Sequence, residues 1–183
     1  MSNHDKLENL LKNKINIIIM KPLTTPISNG DIDNLKVGDK IQISGTIYTG
    51  RDAALPQLVE LIEKNEVPFD LDGSVIMHTA FSNAGIAPTT SSKVEIESTI
   101  APLSKSGVKI HIGKGMLSDG TAKSLDENNS IFVITPPVAA LLTNKVLEKK
   151  CVLFENEGME AMFELKVKNI PGIVAIHKGN KII

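Results

Sequence analysis

The chain has 183 residues with a formal net charge of −1, and 42% of them are hydrophobic, which suffices for the core of a single domain. Charges of both signs are mixed along the chain and aromatic residues make up only 3%, so no nucleic-acid partner is expected. The single cysteine, Cys151, excludes an intrachain disulfide and a cysteine-held metal cluster within this chain. The apolar runs are too short to cross a bilayer and the N-terminus lacks a signal-peptide pattern, which predicts a cytoplasmic protein without a membrane partner.

Strands and helices are expected to alternate. Residues 1–21 are predicted to be an N-terminal extension with a short helix over 1–14, and residues 22–183 to be one domain. β-Branched and alternating apolar residues predict strands at 15–20, 40–46, 74–78, 108–112, 131–135, 152–155, 165–167 and 173–176. Apolar spacing of three to four residues predicts helices at 32–35, 52–64, 100–106, 138–149 and 159–163. This order predicts an α/β domain with a mostly parallel central sheet, to which the closing strands add an antiparallel layer.

Three loops each place one positive charge among small or hydroxyl residues. Arg51 follows Gly50 at a strand-to-helix junction, Lys93 follows four hydroxyl residues at 89–92, and Lys114 lies between two glycines. Helix-start amides and a guanidinium both favour carboxylates, so the three loops together predict a cleft for a ligand with two carboxylates. Each loop also has an ordinary interpretation: Arg51 as a surface charge beside a helix-capping Asp52, and the other two as polar turns.

The histidines give little support for a metal site. His78 and His111 end apolar strands and are predicted to be buried or at the rim of the core, whereas His4 and His177 are predicted to be exposed. No histidine, cysteine and carboxylate residues fall at metal-ligand spacing, so no metal is expected in this chain.

Several short motifs follow one another in a specific order over residues 22–183. They include Leu23-Thr24-Thr25-Pro26-Ile27, residues 44–54, Pro88-Thr89-Thr90-Ser91, Ile112-Gly113-Lys114-Gly115 and residues 158–165. In this order they resemble the β subunit, or C-terminal domain, of the iron–sulfur class I fumarate hydratases and L-tartrate dehydratases.

The resemblance implies a swivelling β/β/α domain that binds no cofactor itself. It would pair, as a heterodimer or heterotetramer, with a separate α subunit that holds a [4Fe–4S] cluster. The two subunits together would be a hydro-lyase, reversibly hydrating and dehydrating a small hydroxy-dicarboxylate such as malate/fumarate or tartrate. The resemblance assigns substrate binding to Arg51, Thr89, Thr90, Ser91, Lys93 and Lys114, and a catalytic part in proton transfer to Thr89.

Several positions depart from the family pattern, and two of them change the chemistry of the predicted site. Leu55 stands where the family usually has a histidine that is treated as catalytic, and leucine can neither transfer a proton nor donate a hydrogen bond. Lys93 replaces an arginine and lacks its two-pronged fork. Two hypotheses therefore stand: a hydro-lyase subunit, with a changed substrate, or a non-catalytic paralogue that binds carboxylates or regulates a partner. A stand-alone enzyme is disfavoured, because nothing in the chain is expected to hold a metal or cofactor.

Overall fold

Five strands run parallel through the centre of the sheet in the computed structural model, which describes residues 20–87 and 93–182, with side chains at 20–87 and 97–182. Their spatial order is β1-β2-β3-β6-β7. The strands are β1 (Lys21–Thr24), β2 (Lys40–Gly50), β3 (Val75–His78), β4 (Phe81–Ser82), β5 (Gly85–Ile86), β6 (Ile110–Gly113), β7 (Ile131–Ile134), β8 (Val146–Leu153), β9 (Met162–His177) and β10 (Asn180–Lys181). The helices are α1 (Asn29–Asp33), α2 (Ala54–Glu63), α3 (Lys93–Lys105), α4 (Asp119–Glu127) and α5 (Ala139–Thr143), followed by a 3₁₀ segment at Glu155–Glu160.

Helices α2, α3 and α4 lie on the connections between the parallel strands. Each returns the chain from the carboxyl end of one strand to the amino end of the next, as a parallel sheet requires. All four residues of β3 and all four of β6 are buried, which is typical of strands covered on both faces.

The long strand β9 closes the sheet on itself. It pairs antiparallel with β2, from Thr49↔Phe163 to Lys40↔Ile173, and then with β7 near its end. Strands β2, β3, β6, β7 and β9 therefore form a barrel-like closure. Where β9 passes from its pairing with β2 to its pairing with β7, a glycine is required, because a Cβ at Gly172 would lie 2.4 Å from Val133 Cγ1.

The core has two main parts, one on each face of the parallel strands. Inside the closure, alternate strand residues such as Ile47, Met77 and Ile112 form an apolar cluster. On the outer face, strand residues pack against α2 and α3; this second cluster includes Leu58 and Leu103. Burial of these two apolar surfaces is the main stabilising contribution to the fold.

The sequence-based expectation of a mixed α/β domain with a mostly parallel sheet is confirmed. The strands predicted at 74–78, 108–112 and 131–135 are present with ends shifted by one or two residues. The helix predicted at 52–64 is present as α2, and the one predicted at 100–106 already begins at residue 93. Helix α4 was not predicted. The N-terminal helix and strand predicted for residues 1–19 lie outside the described residues, and the division into an extension and a domain stays a prediction.

Two predicted helices near the C-terminus are wrong. The helix predicted at 138–149 ends at Thr143, and residues 146–153 instead pair with β9 as β8, because tertiary pairing overrides a weak local helix preference. The helix predicted at 159–163 does not form, because the 3₁₀ segment ends at Glu160 and β9 begins at Met162. The two predicted closing strands are parts of this one strand.

Smaller corrections concern capping and burial. The helix predicted at 32–35 is present as α1 but spans Asn29–Asp33, where Ser28 is the N-cap and Asp31 completes a capping box. His177 is buried rather than exposed; it is the last residue of β9. No helix among the described residues is long and apolar enough to cross a membrane.

Candidate functional site

The carboxyl ends of the parallel strands bring two of the predicted residues to one edge of the sheet. Arg51 follows the last residue of β2 and Lys114 follows the last residue of β6, with only β3 between these strands. We call this edge, formed by residues 50–52, 78–79 and 113–115, the carboxyl edge. At about 4.8 Å per strand, the backbones of Arg51 and Lys114 are roughly 10 Å apart, which two long side chains can bridge.

Arg51 is the only arginine in the sequence, and it is held in place by an ion pair. Its Nε donates to Glu160 Oε1 at 2.8 Å, and its Nη2 contacts the same oxygen. The two side chains are 19% and 25% exposed. Glu160 is the last residue of the 3₁₀ segment that precedes β9. A second hydrogen bond, from Gln57 Nε2 to Glu157 Oε1 at 3.0 Å, joins this segment to α2. Arg51 is therefore a partly buried, oriented cation rather than an ordinary surface charge.

The ordinary interpretation of Asp52 as a helix cap is wrong. Helix α2 begins at Ala54 with Ala53 in the N-cap position, and Ala53 has no side chain that could accept the hydrogen bond. The turn after β2 therefore presents Arg51 without a conventional cap.

Lys114 lies among the described residues, whereas most of the predicted segment around Lys93 does not. Lys114 is exposed, beside Gly115 with a φ of +85°, a left-handed backbone that favours glycine. Lys93 is the first residue of α3, and its side chain lies outside the described set. Thr89, Thr90 and Ser91 lie outside the described residues altogether. Because α3 leads from the end of β3 to the start of β6, its first turn lies on the carboxyl-edge side of the sheet.

Leu55, the residue that departs from the family pattern, packs directly beside the carboxyl edge. It is buried, and its Cδ2 would lie 2.8 Å from a Cβ built on Gly50. The side chain at position 55 therefore packs over the last residue of β2, within the outer apolar cluster that also contains Leu58. Sequence reasoning predicted the chemical consequence of this leucine but not its place.

Sequence reasoning missed a pair of hydrogen-bonded histidines below this edge. His78 Nε2 and His111 Nδ1 are 3.1 Å apart, and His111 Nε2 is 2.9 Å from Ser104 Oγ. Burial lowers the pKa of His78 to about 4, and burial with the neighbouring His78 lowers the pKa of His111 well below its usual value. Both rings are therefore neutral near pH 7. The available signal was that each of two consecutive apolar strands of a parallel sheet contains one histidine.

The described residues offer no arrangement for a bound metal. No group of three or more histidine, cysteine, aspartate or glutamate residues among them is placed to hold an ion. The Cys151 thiol is half-buried on β8, and burial and the nearby Glu155 raise its pKa, which disfavours the thiolate that metals bind.

Comparison with known proteins identifies the family of this site. The model of the family described as "Fumarase C-terminus" matches residues 3–183. The chain belongs to the fumarase C-terminus family. Within this family it is 33% identical over 177 residues to the L(+)-tartrate dehydratase β subunit of Escherichia coli K12, a match that covers 89% of this chain and 86% of that one.

Two further relatives come from other organisms. A Methanocaldococcus jannaschii protein, provisionally named an L(+)-tartrate dehydratase β subunit, is 34% identical over 172 residues, covering 85% of this chain and 87% of its own. A Geobacillus stearothermophilus protein, provisionally named a class I fumarate hydratase, is 30% identical over 174 residues; the match covers 87% of this chain but 33% of that longer protein. The resemblance found in the sequence motifs is thus confirmed.

Proposed function

We propose that this chain is the β subunit of a hydro-lyase that adds water to, or removes it from, a small hydroxy-dicarboxylate such as tartrate or malate/fumarate. The observation that carries the proposal is the placement of Arg51 and Lys114 one strand apart at the carboxyl edge of a fumarase C-terminus fold. The relatives named above are enzymes or enzyme subunits, which favours this function over a non-catalytic paralogue.

The two cations would hold the two ends of the dicarboxylate. The Arg51 guanidinium, which Glu160 orients through Nε and Nη2, would attract one substrate carboxylate. Lys114 would bind the second carboxylate as a mobile point charge. With both ends held, the central carbons are fixed, and the negative charge that develops on a carboxylate as the neighbouring carbon loses its proton is stabilised by a nearby cation.

The proton-transfer group would come from outside the described residues. Leu55 cannot serve, and its apolar side chain would instead keep water from the end of β2. Thr89 stays the proposed catalytic hydroxyl, with Thr90, Ser91 and Lys93 as further substrate contacts on the loop that leads into α3.

The chain would act as a swivelling domain against a separate α subunit, as a heterodimer or heterotetramer. A [4Fe–4S] cluster does not fit this chain, which has one cysteine and, among its described residues, no ligand cluster. We assign the cluster to the α subunit, where its iron would act as a Lewis acid. The enzyme would be cytoplasmic.

The test is turnover by the complex co-produced with its α subunit, measured with L-tartrate, L-malate and fumarate. Wild-type complex should turn over one of them, and Arg51→Ala should lower kcat/KM by about a hundredfold or more, since it removes a partly buried charge that pairs with the substrate. Dicarboxylate binding without any turnover would support the non-catalytic paralogue instead, a hypothesis that the apolar Leu55 favours. Turnover by this chain alone would contradict the two-subunit assignment.

A further inference from the structure

A buried histidine network (His78, His111 and Ser104) lies on the outer face of the sheet, at the level of the carboxyl edge. Each of the three residues is at most 2% exposed. His78 ends β3, His111 lies in β6, and Ser104 lies in α3, which covers this face. The network therefore joins two strands and one helix through two hydrogen bonds of 3.1 and 2.9 Å.

The neutral network has two proton arrangements, of which one is favoured. In the first, His78 Nε2 donates to His111 Nδ1 and His111 Nε2 donates to Ser104 Oγ, which leaves a lone pair on His78 Nδ1. In the second, every bond is reversed and His78 Nδ1 carries the proton. This nitrogen is buried and has no hydrogen-bond partner among the described residues. A buried N–H without an acceptor is rarer in proteins than an unused acceptor, so the first arrangement is favoured.

Stability alone does not account for this network. On the inner face of the same two strands, Met77 and Ile112 fill the core with apolar side chains. Two imidazoles on the outer face bear a desolvation cost instead, and within the described part of the chain one of their nitrogens gains no hydrogen bond in return. Buried polar groups of this kind call for an explanation other than packing.

The network joins the elements that carry the predicted binding groups. His78 is the register partner of Gly50, which immediately precedes Arg51. His111 lies three residues before Lys114 in the same strand, and Ser104 belongs to the helix whose first residue is Lys93.

We propose that His78, His111 and Ser104 are positioning residues for the ligand-binding groups of the carboxyl edge. Hydrogen bonds are directional, so they fix the position of α3 along β6 and its rotation about its own axis. Apolar packing constrains both less tightly. The hydrogen bonds thereby set the distance between Lys114 and the first turn of α3. This inference rests on the proposed function, because it concerns the same dicarboxylate site; displacement of a binding group by about 1 Å can lower a rate about a hundredfold.

The chain offers a matched control for a test at Ser104. Ser130 is also a buried serine, and its Oγ donates to Val108 O at 2.7 Å. It precedes β7 at the amino end of the sheet, away from the carboxyl edge. Replacing either serine with alanine removes one buried hydrogen bond, but only Ser104→Ala opens the network.

The experiment compares Ser104→Ala, Ser104→Thr and Ser130→Ala in the complex with the α subunit. For each we would measure kcat and KM with the dicarboxylate that wild type uses, together with thermal stability. Ser104→Ala should lower kcat/KM by about tenfold or more, chiefly through KM, as loss of an outer-shell partner does elsewhere. Ser104→Thr keeps the hydroxyl and should recover most of the activity, while Ser130→Ala should stay within about threefold of wild type. Equal losses in the two alanine variants, or no loss in either, would overturn the inference.

Two additions keep the outcome decisive. If Ser104→Ala does not fold, His111→Gln serves as the second variant, because it also breaks the continuous network and should show the same rise in KM. Long-range ¹H–¹⁵N spectra of wild type should show both buried rings neutral, with the His78 proton on Nε2; a charged ring would overturn the inference.

If wild type has no turnover, the proposed function fails separately, and dissociation constants for L-tartrate and fumarate replace KM; absence of dicarboxylate binding would overturn the inference as well.

Discussion

The inner and outer faces of the same two strands differ in chemistry. In β3 and β6 the residues that face the inside of the closure are apolar, among them Met77 and Ile112. The outward positions near the carboxyl edge are His78, His111 and Gly113. Apolar packing stabilises the closure from within, whereas the outer face near the edge carries polar groups and glycines that packing alone would not favour. Apolar packing on both faces stabilises the sheet, and we propose that ligand binding depends on the outer face near the carboxyl edge.

The largest effect is expected from a cavity on the inner face. Ile112→Ala should lower the free energy of unfolding by about 2–5 kcal/mol, because it removes buried apolar contacts and leaves a void. Activity per folded molecule should change little. Denaturant unfolding checks the first expectation, with Met116→Ala as control: Met116 is 71% exposed and its replacement should cost less than about 0.5 kcal/mol. Loss of activity in a folded Ile112→Ala protein would erase the distinction between the faces.

Acid should destabilise the protein through the outer face. The pKa of His78 is about 4 in the folded protein and near 6.5 when unfolded, so the unfolded state binds more protons between these values. Stability is therefore complete above pH 6.5 and falls as the pH decreases, by about 3 kcal/mol at pH 4 for this ring alone. Unfolding measured from pH 7.5 to 4 checks this, and His78→Gln should have a shallower slope. An unchanged slope in that variant would assign the acid sensitivity to other groups.

A methyl group beside the histidine network should have a moderate effect. A Cβ at Gly113 would lie 2.9 Å from Phe132 Cζ, so Gly113→Ala should cost about 1–3 kcal/mol of stability through overpacking. The control is Gly120→Ala in α4, where the nearest neighbouring atom would be 3.9 Å away and alanine should be neutral or slightly stabilising. Thermal melts of the two variants give the comparison, and equal melting temperatures would contradict the close packing described at Gly113.

The smallest effect is expected at the ion pair of the carboxyl edge. Glu160→Gln keeps the shape of the side chain but removes the charge that orients Arg51, so KM for the dicarboxylate should change by about fivefold with little change in folding stability. Glu157→Gln is the matched control in the same 3₁₀ segment, since Glu157 contacts Gln57 rather than Arg51. Steady-state kinetics on the complex would compare KM for the dicarboxylate in the Glu160→Gln and Glu157→Gln variants. The same KM in both variants would show that Glu160 does not orient the guanidinium.

The parts of the fold that sequence predicts well are those governed by local pattern. Strands β3, β6 and β7 are short apolar runs, and helix α2 has a clear apolar face. The prediction for residues 146–149 is wrong because Leu, Glu and Lys favour a helix locally. These residues form a strand only through pairing with β9, which is distant in the sequence.

In the candidate site, too, some features follow from the sequence pattern and others depend on contacts between distant residues. Placement of Arg51 and Lys114 at one edge follows from the rule that parallel strands end together. The partner of Arg51 could not be predicted, because Glu160 is 109 residues away along the chain. The bond between His78 and His111 depends on the pairing of β3 with β6, and on which ring nitrogens face each other. The roles of Thr89, Thr90 and Ser91 stay predictions from the resemblance.

The most direct test of the central claim is dicarboxylate affinity in a double-mutant cycle on Arg51 and Lys114. Dissociation constants for a dicarboxylate and a matched monocarboxylate would be measured for the wild-type complex, Arg51→Ala, Lys114→Ala and the double variant. If the two cations hold the two ends of one ligand, wild type prefers the dicarboxylate by about tenfold or more, and either single variant loses most of that preference. If Lys114→Ala binds the dicarboxylate as tightly as wild type, the two cations do not serve one site and the account is wrong.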